Sequence, residues 1–224
     1  MLLAVPRVLE GDEVALARSW LAGGRFRDGR LSAGSAARRV KSNEELEPSV
    51  PQLEQLNSLV MGGLARHPAY RAGALPLHAA SPMYARYRPG MAYGDHLDDP
   101  IMGADGLMYR SDVAVTVFLS APEEYDGGEL VIGTAFGEQV VKSPAGDAVL
   151  YPSGSIHHVN PVTRGERLVA VTWVQSLVRD PARRELLYGL NSAREALLQA
   201  APGAAETAQV NAAYLNLIRM WSDI

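Results

Sequence analysis

The chain contains no cysteine among its 224 residues. That absence excludes disulfides, thiolate-bound zinc and iron–sulfur clusters. A basic excess is also missing: the formal net charge is −4, too acidic for a general nucleic-acid binder that must neutralise phosphates. Long apolar runs are absent as well. The first residues, Met1-Leu2-Leu3-Ala4-Val5-Pro6, lack a basic lead and soon meet Glu10, Asp12 and Glu13. They read as neither a signal peptide nor a membrane span, and a cytoplasmic protein is expected. Histidine is scarce, with five in the chain, so any pattern among them carries weight.

What is present is an ordinary globular composition, 47% hydrophobic and 21% charged, in a length that suits one sizeable domain with a helical appendage. Residues 13–22 read as a helix with Val14, Ala17 and Leu21 on one stripe, and 50–65 as another with Leu53, Leu56, Val60 and Leu64 at helical spacing. Between them lies a stretch with Arg25, Arg27, Arg30, Arg38, Arg39 and Lys41. The favoured reading is a solvated loop and edge strand; the sharper one is a basic rim beside a pocket for an acidic substrate.

From residue 81 the pattern changes. Met83–Arg88, Asp112–Leu119, Glu129–Ile132, Glu138–Val141, Asp147–Leu150 and Arg167–Gln175 read as short strands separated by Gly and Pro turns, which indicates a sandwich or jelly roll. After Asp180-Pro181 the chain turns helical, with a break near Pro202-Gly203. The last helix carries the stripe Val210, Tyr214, Leu217, Ile218 and Trp221. Either the β-core or a second copy must cover it, and a homodimer is the weakly favoured outcome.

The candidate chemistry lies in Tyr93-Gly94-Asp95-His96-Leu97-Asp98, answered by Ser155-Ile156-His157-His158 and Arg167. On an extended segment His96 and Asp98 point the same way, and a later histidine could complete two imidazoles and one carboxylate on one face of a metal. That set suits a non-haem Fe(II) oxygenase. Of the adjacent pair only one can point inward, and the spacing to Arg167 favours His157, with His158 facing outward. Asp95 and Asp99 read as solvated or supporting, and His67 and His78 as structural. Arg167 opens an otherwise apolar strand, where an inward guanidinium needs an anion such as a co-substrate carboxylate. Tyr87 is either a hydroxyl donor to the same anion or a core aromatic, and Thr116 is a weaker candidate donor.

Tyr87-x-Pro-Gly, His96-x-Asp98, Gly127-Gly128-Glu129-Leu130 and Tyr151-Pro-Ser-Gly-Ser-Ile-His157-x-Val-x-Pro-Val-Thr-Arg-Gly-x-Arg167 together resemble the bacterial PKHD-type hydroxylases. These are Fe(II)/2-oxoglutarate dioxygenases related to prolyl 4-hydroxylases and linked with iron uptake. The resemblance takes in Val40-Lys41-Ser42-Asn43 and the C-terminal helices and is densest over 84–175. It implies a double-stranded β-helix core (about 81–176) flanked by helices, in an oxygenase domain of 1–178 with a helical extension over 179–224. It implies His96, Asp98 and His157 as iron ligands, Arg167 as the partner of the distal 2-oxoglutarate carboxylate, and Tyr87 beside it. The implied reaction uses O2, converts 2-oxoglutarate to succinate and CO2, and hydroxylates an unactivated C–H bond, with ascorbate as accessory reductant and a role in iron homeostasis. The prime substrate stays open among a peptidyl proline, a free amino acid and an iron-chelating small molecule. The competing readings are a metal-binding jelly-roll sensor without oxygenase activity and a helical interaction protein on a β scaffold.

Overall fold

The structure, a computed structural model, describes residues 1–103, 106 and 108–223. In chain order it runs β1 (Leu3–Val5), α1 (Gly11–Ala22), β2 (Phe26–Asp28), β3 (Lys41–Ser42), β4 (Glu44–Leu46), α2 (Leu53–Arg66), α3 (Pro68–Ala74), β5 (Pro76–Ala79), β6 (Met83–Tyr87) and β7 (Ala92–His96). It continues β8 (Ile101–Met102), β9 (Tyr109–Arg110), β10 (Val113–Phe118), β11 (Tyr125–Gly127), β12 (Leu130–Thr134), β13 (Gly137–Val141), β14 (Ala148–Pro152), β15 (His157–Val159), β16 (Val162–Gly165), β17 (Arg167–Ser176), α4 (Pro181–Ala200) and α5 (Ala205–Trp221).

Two antiparallel sheets face each other, as a jelly roll requires. The major sheet has the order β1-β14-β10-β17-β6-β4-β2, with β5 added on β17; the minor sheet has the order β13-β12-β15-β7-β3. Strand β10 sits in the middle of the major sheet and is buried along its whole length, which explains its unbroken apolar sequence Val-Ala-Val-Thr-Val-Phe. Its odd residues, Val113, Val115 and Val117, join the helices α1 and α2 in one core. Its even residues Ala114 and Phe118 join Leu130, Ile132 and Val159 of the minor sheet in another. The same parity divides β17: Leu168, Ala170 and Val174 face the helices, whereas Val169, Val171 and Trp173 face the minor sheet. Burying each large apolar side chain contributes about 1.5–3 kcal/mol before chain entropy is subtracted.

The sheet reaches beyond the expected 81–176 core. Strands β1, β2, β4 and β5 come from the N-terminal third and still belong to the major sheet, and β3 belongs to the minor one. With two to four residues each, they are too short to display an alternation. Helix α3 was hidden too: His67 caps it through Nδ1, which accepts from the Ala69 N–H, and Pro68 opens it.

At the C-terminus, α4 packs against both α5 and α3. Tyr214, Leu217, Ile218 and Trp221 of the apolar stripe lie with Leu75, Val178 and Leu187 of the same chain. Of the two expected covers it is therefore the chain itself that meets these residues, and the stripe alone gives no reason for a second copy. Arg184 fastens α4 to the sheet, donating to the carbonyls of Val178 (2.7 Å), Arg179 (2.8 Å) and Asp112 (3.3 Å). Ile224, the end of the expected extension, lies outside the described residues. None of the described helices is long and apolar enough to cross a membrane.

Candidate active site

Strands β7 and β15 are antiparallel neighbours in the minor sheet, and their register sets His96 directly opposite His157. Residues so paired have Cβ atoms about 5 Å apart on one face. The ring centroids are 4.2 Å apart. Asp98 follows two residues after His96, and its Oδ1 lies 3.8 Å from His157 Nε2. One donor atom from each of the three residues falls within 4.8 Å of the others.

The imidazoles are oriented for this. His96 Nδ1–H donates to the Gly94 carbonyl at 2.8 Å and His157 Nδ1–H to the Ser155 carbonyl at 2.9 Å. A carbonyl can only accept, so each ring carries its proton on Nδ1 and leaves the Nε2 lone pair free for a metal. Tyr93 stacks on His96 at 3.6 Å and 11°, fixing that ring. Burial and the neighbouring His157 push His96 down to about 4, which keeps it neutral at physiological pH. Burial raises the Asp98 carboxyl above its ordinary value, and its Oδ2 has no hydrogen-bond partner. A buried, unsatisfied carboxylate oxygen beside two neutral imidazoles is costly unless a cation joins it.

His158 points the other way, and its Nδ1–H donates to the exposed Asp95 carboxylate at 2.7 Å. His67 serves as the cap described above, and His78 lies on β5 beside the Tyr109 ring. Of the five histidines, His96 and His157 line the cavity.

The major sheet supplies the facing wall. Its register sets Tyr87 on β6 opposite Arg167 on β17. Arg167 is 2% exposed, its guanidinium lies 5.1 Å from the Tyr87 ring centroid and 5.7 Å from that of Phe118, and its Nε has no hydrogen-bond partner. No carboxylate among the described residues pairs with it. Burial raises the Tyr87 hydroxyl while Arg167 and the Asn43 side chain pull it back. Gly128 is required here: its φ is +67°, and an added Cβ would come within 3.2 Å of Arg167 Cδ.

Both walls line one cavity of about 470 Å³, within the range of small-molecule sites. Two residues that sequence reasoning did not single out, Tyr151 and Trp173, also line it. Tyr151 is buried, with its hydroxyl raised well above the ordinary value by burial. Thr116, the weaker candidate, lies beside that hydroxyl and lowers it. Trp173 shares the inner face of β17 with Arg167, six residues on; its buried Nε1–H makes no hydrogen bond of normal geometry, but the Asp98 carboxyl that burial raises is pulled back in part by this donor. The parity that selects Arg167 also selects Trp173. Lys41, grouped with the solvated arginines by sequence, is 7% exposed and lines the cavity with Glu45; the reading of a solvated stretch holds for the exposed Arg25, Arg27, Arg30, Arg38 and Arg39 and fails for Lys41.

Comparison with known proteins follows this geometry. Residues 82–175 match the 2OG-Fe(II) oxygenase superfamily and residues 181–223 the PKHD-type hydroxylase C-terminal domain. The chain is 53% identical to a PKHD-type hydroxylase of Thioalkalivibrio sulfidiphilus, and 42% identical to one of Stenotrophomonas maltophilia, over the whole of both chains in each case. Among solved structures, its fold is similar to a Pseudomonas putida prolyl-4-hydroxylase (TM-score 0.52, 24% identity, covering 78% of this chain and 92% of that one). It is also similar to a Trichoplax adhaerens prolyl hydroxylase in complex with a hypoxia inducible factor peptide fragment (TM-score 0.55, 19% identity, 83% and 86% covered).

Proposed function

Because this chain belongs to the PKHD-type hydroxylase family, we propose that it is an Fe(II)- and 2-oxoglutarate-dependent hydroxylase in which His96, Asp98 and His157 hold the metal and Arg167 with Tyr87 holds the distal carboxylate of 2-oxoglutarate. The observation that carries this reading is a single cavity with a convergent His–Asp–His set on one wall and a buried, carboxylate-free arginine on the other.

The residues fit the group. Two imidazole nitrogens and one carboxylate, with no thiolate, form the facial set that suits Fe(II) and leaves open positions. When bound, Fe(II) with 2-oxoglutarate and O2 supplies the oxidising power to hydroxylate an unactivated C–H bond, with succinate and CO2 as co-products. The protein does the rest. The carbonyls of Gly94 and Ser155 fix the histidine tautomers. Trp173 steadies the Asp98 carboxylate through its indole N–H. The Arg167 fork meets a carboxylate in bidentate fashion, which orients the co-substrate as well as binding it. Tyr125 and Tyr151, whose hydroxyls burial raises while the Arg167 charge pulls them back only in part, belong to the buried surround that keeps water from competing for that guanidinium. A metal sensor would have no use for an arginine in this position. On this reading residues 1–178 form the oxygenase unit and 179–224 an extension that braces it.

The test is anaerobic loading with Fe(II) followed by 2-oxoglutarate. A metal-to-ligand absorption band that saturates with one equivalent of 2-oxoglutarate, and succinate formation once O2 is admitted, are expected. Stoichiometric iron binding with no response to 2-oxoglutarate would sink the reading.

A further inference from the structure

The segment Lys41-Ser42-Asn43-Glu44-Glu45 crosses from one sheet to the other. Lys41 pairs with Tyr93 of β7 in the minor sheet, and Glu45 pairs with Ala85 of β6 in the major sheet. Its alternation is reversed from that of an ordinary solvent-facing segment. Lys41, Asn43 and Glu45 are buried and line the cavity, while Ser42 is exposed and Glu44 turns to Arg86 at 2.7 Å. Polar residues normally face water. Here two opposite charges face inward, at 7% and 5% exposure.

These charges meet each other. Lys41 Nζ donates to Glu45 Oε1 at 2.5 Å and to Ser32 Oγ at 3.0 Å, and Ser32 Oγ donates to the same Glu45 oxygen at 2.8 Å. The ammonium also lies 5.2 Å from the centre of the Tyr93 ring, and Tyr93 is stacked on His96. The pair therefore stands one aromatic ring away from the metal-binding histidine. A buried ion pair contributes little net stability over apolar residues of the same volume, so stability alone does not account for it.

The cavity is divided by charge. Around Arg167 it presents an uncompensated cation, suited to a dianion such as 2-oxoglutarate. Around Lys41 and Glu45 it presents a balanced dipole. A lone anion there would face Glu45 and a lone cation would face Lys41. A ligand that carries both charges can replace one internal pair with two external pairs and leave no buried charge unmatched. We propose that the Lys41–Glu45 pair is the subsite for the carboxylate and ammonium of a zwitterionic substrate, a free amino acid or a small molecule ending in an α-amino-acid group. This rests on the hydroxylase reading above and names the substrate class of that site.

The experiment is anaerobic calorimetry on the iron-loaded full chain. 2-Oxoglutarate is titrated first; its failure to bind would overturn the hydroxylase reading itself. With 2-oxoglutarate bound, the twenty common amino acids are titrated beside their N-acetyl and methyl-ester forms. At least one free amino acid is expected to bind, with each blocked form at least tenfold weaker. The double variant Lys41→Met, Glu45→Met is expected to remain folded and to bind that amino acid at least tenfold more weakly. In Glu45→Gln the N-acetyl form is expected to bind as well as the free one, because the partner of the ammonium is gone; this variant decides the matter where the double variant does not fold. No binding by any free amino acid while 2-oxoglutarate binds, equal binding of free and blocked forms, or unchanged discrimination in Glu45→Gln would each overturn the proposal.

Discussion

The two walls of the cavity use the same device, a directly opposed cross-strand pair, but in different settings. Tyr87 and Arg167 form the end pair of an unbroken register between β6 and the ten-residue β17, inside the major sheet. His96 and His157 sit on short strands of the minor sheet, where the register shifts between His157 and Val159. The arginine must be sealed from water for its charge to act strongly on a carboxylate. On the proposed reading the metal ligands keep one side open to what they bind, and His96 is half-buried. Both walls thus belong to one core, but the arginine is sealed within it while His96 on the other wall stays half-open to the cavity. Changes on the first should touch both ligand binding and stability. Changes on the second should touch the metal and leave the fold standing.

The largest expected effect is on the metal wall. His96→Ala and His157→Ala should each lower iron occupancy by at least a hundredfold while the far-UV dichroism is retained. His158→Ala should hold near-normal iron, because that ring faces Asp95. Iron retained in His157→Ala and lost in His158→Ala would reverse the assignment. On the opposite wall, Arg167→Ala should raise the 2-oxoglutarate requirement about a hundredfold, the equivalent of about 2.7 kcal/mol, and it should also lower the melting temperature. Arg167→Lys should recover only part of the affinity, since a point charge lacks the fork. An unchanged requirement would remove Arg167 from the site.

A smaller effect links the walls. Trp173→Phe keeps the ring and removes the N–H that faces Asp98, so iron affinity should fall about tenfold with little change in the 2-oxoglutarate requirement at saturating iron. An equal loss in both would mean that Trp173 only packs. The smallest effect is on stability. Asp98→Asn removes a desolvated carboxylate with an orphaned oxygen, so the metal-free variant should melt a few degrees higher while binding no iron. The pH dependence checks the sign. Asp98 is raised in the folded chain from its ordinary 3.8, so its contribution to stability is present at acid pH and is lost as pH rises through the folded value. His96 falls from 6.5 to about 4, so its contribution is present above 6.5 and is lost as pH falls towards 4. The two oppose each other in the metal-free protein. In Asp98→Asn the His96 contribution acts alone, and the melting temperature should fall more steeply from pH 7 to pH 5 than in the parent chain. A shallower slope would contradict this balance.

Legibility in the sequence followed the length of the local pattern. Strands β10 and β17 carry six and ten residues, long enough for parity to assign an inward face and, with it, Arg167. The His-x-Asp spacing and the later histidine were readable because imidazoles are few and their positions match strand parity. Strands β1 to β4 were unreadable, since two or three residues cannot display a period and their pairing comes from distant parts of the chain. Lys41 was misjudged, and Glu45 passed over, for a related reason. A charged alternation looks solvated until the fold shows which sheets it bridges. Tyr151 and Trp173 were visible as strand residues but not as site residues, because an aromatic on an inward face serves core and cavity alike. The fate of the C-terminal stripe also depended on tertiary structure: Leu75 and Val178, from outside those helices, meet it.

The register of β17 also limits how this gene can change in length. Side chains on a strand alternate, so a single inserted codon between Gly165 and Arg167 would turn the arginine towards the helices and bring a neighbour into the cavity. Restoring the face would take a second insertion or a compensating deletion nearby. The β12–β13 turn carries no such constraint, since the Phe136 side chain at its tip is 96% exposed. Length variation among descendants of this chain should therefore collect at that turn and be purged from the short link before Arg167, a pattern of inheritance dictated by a period of two.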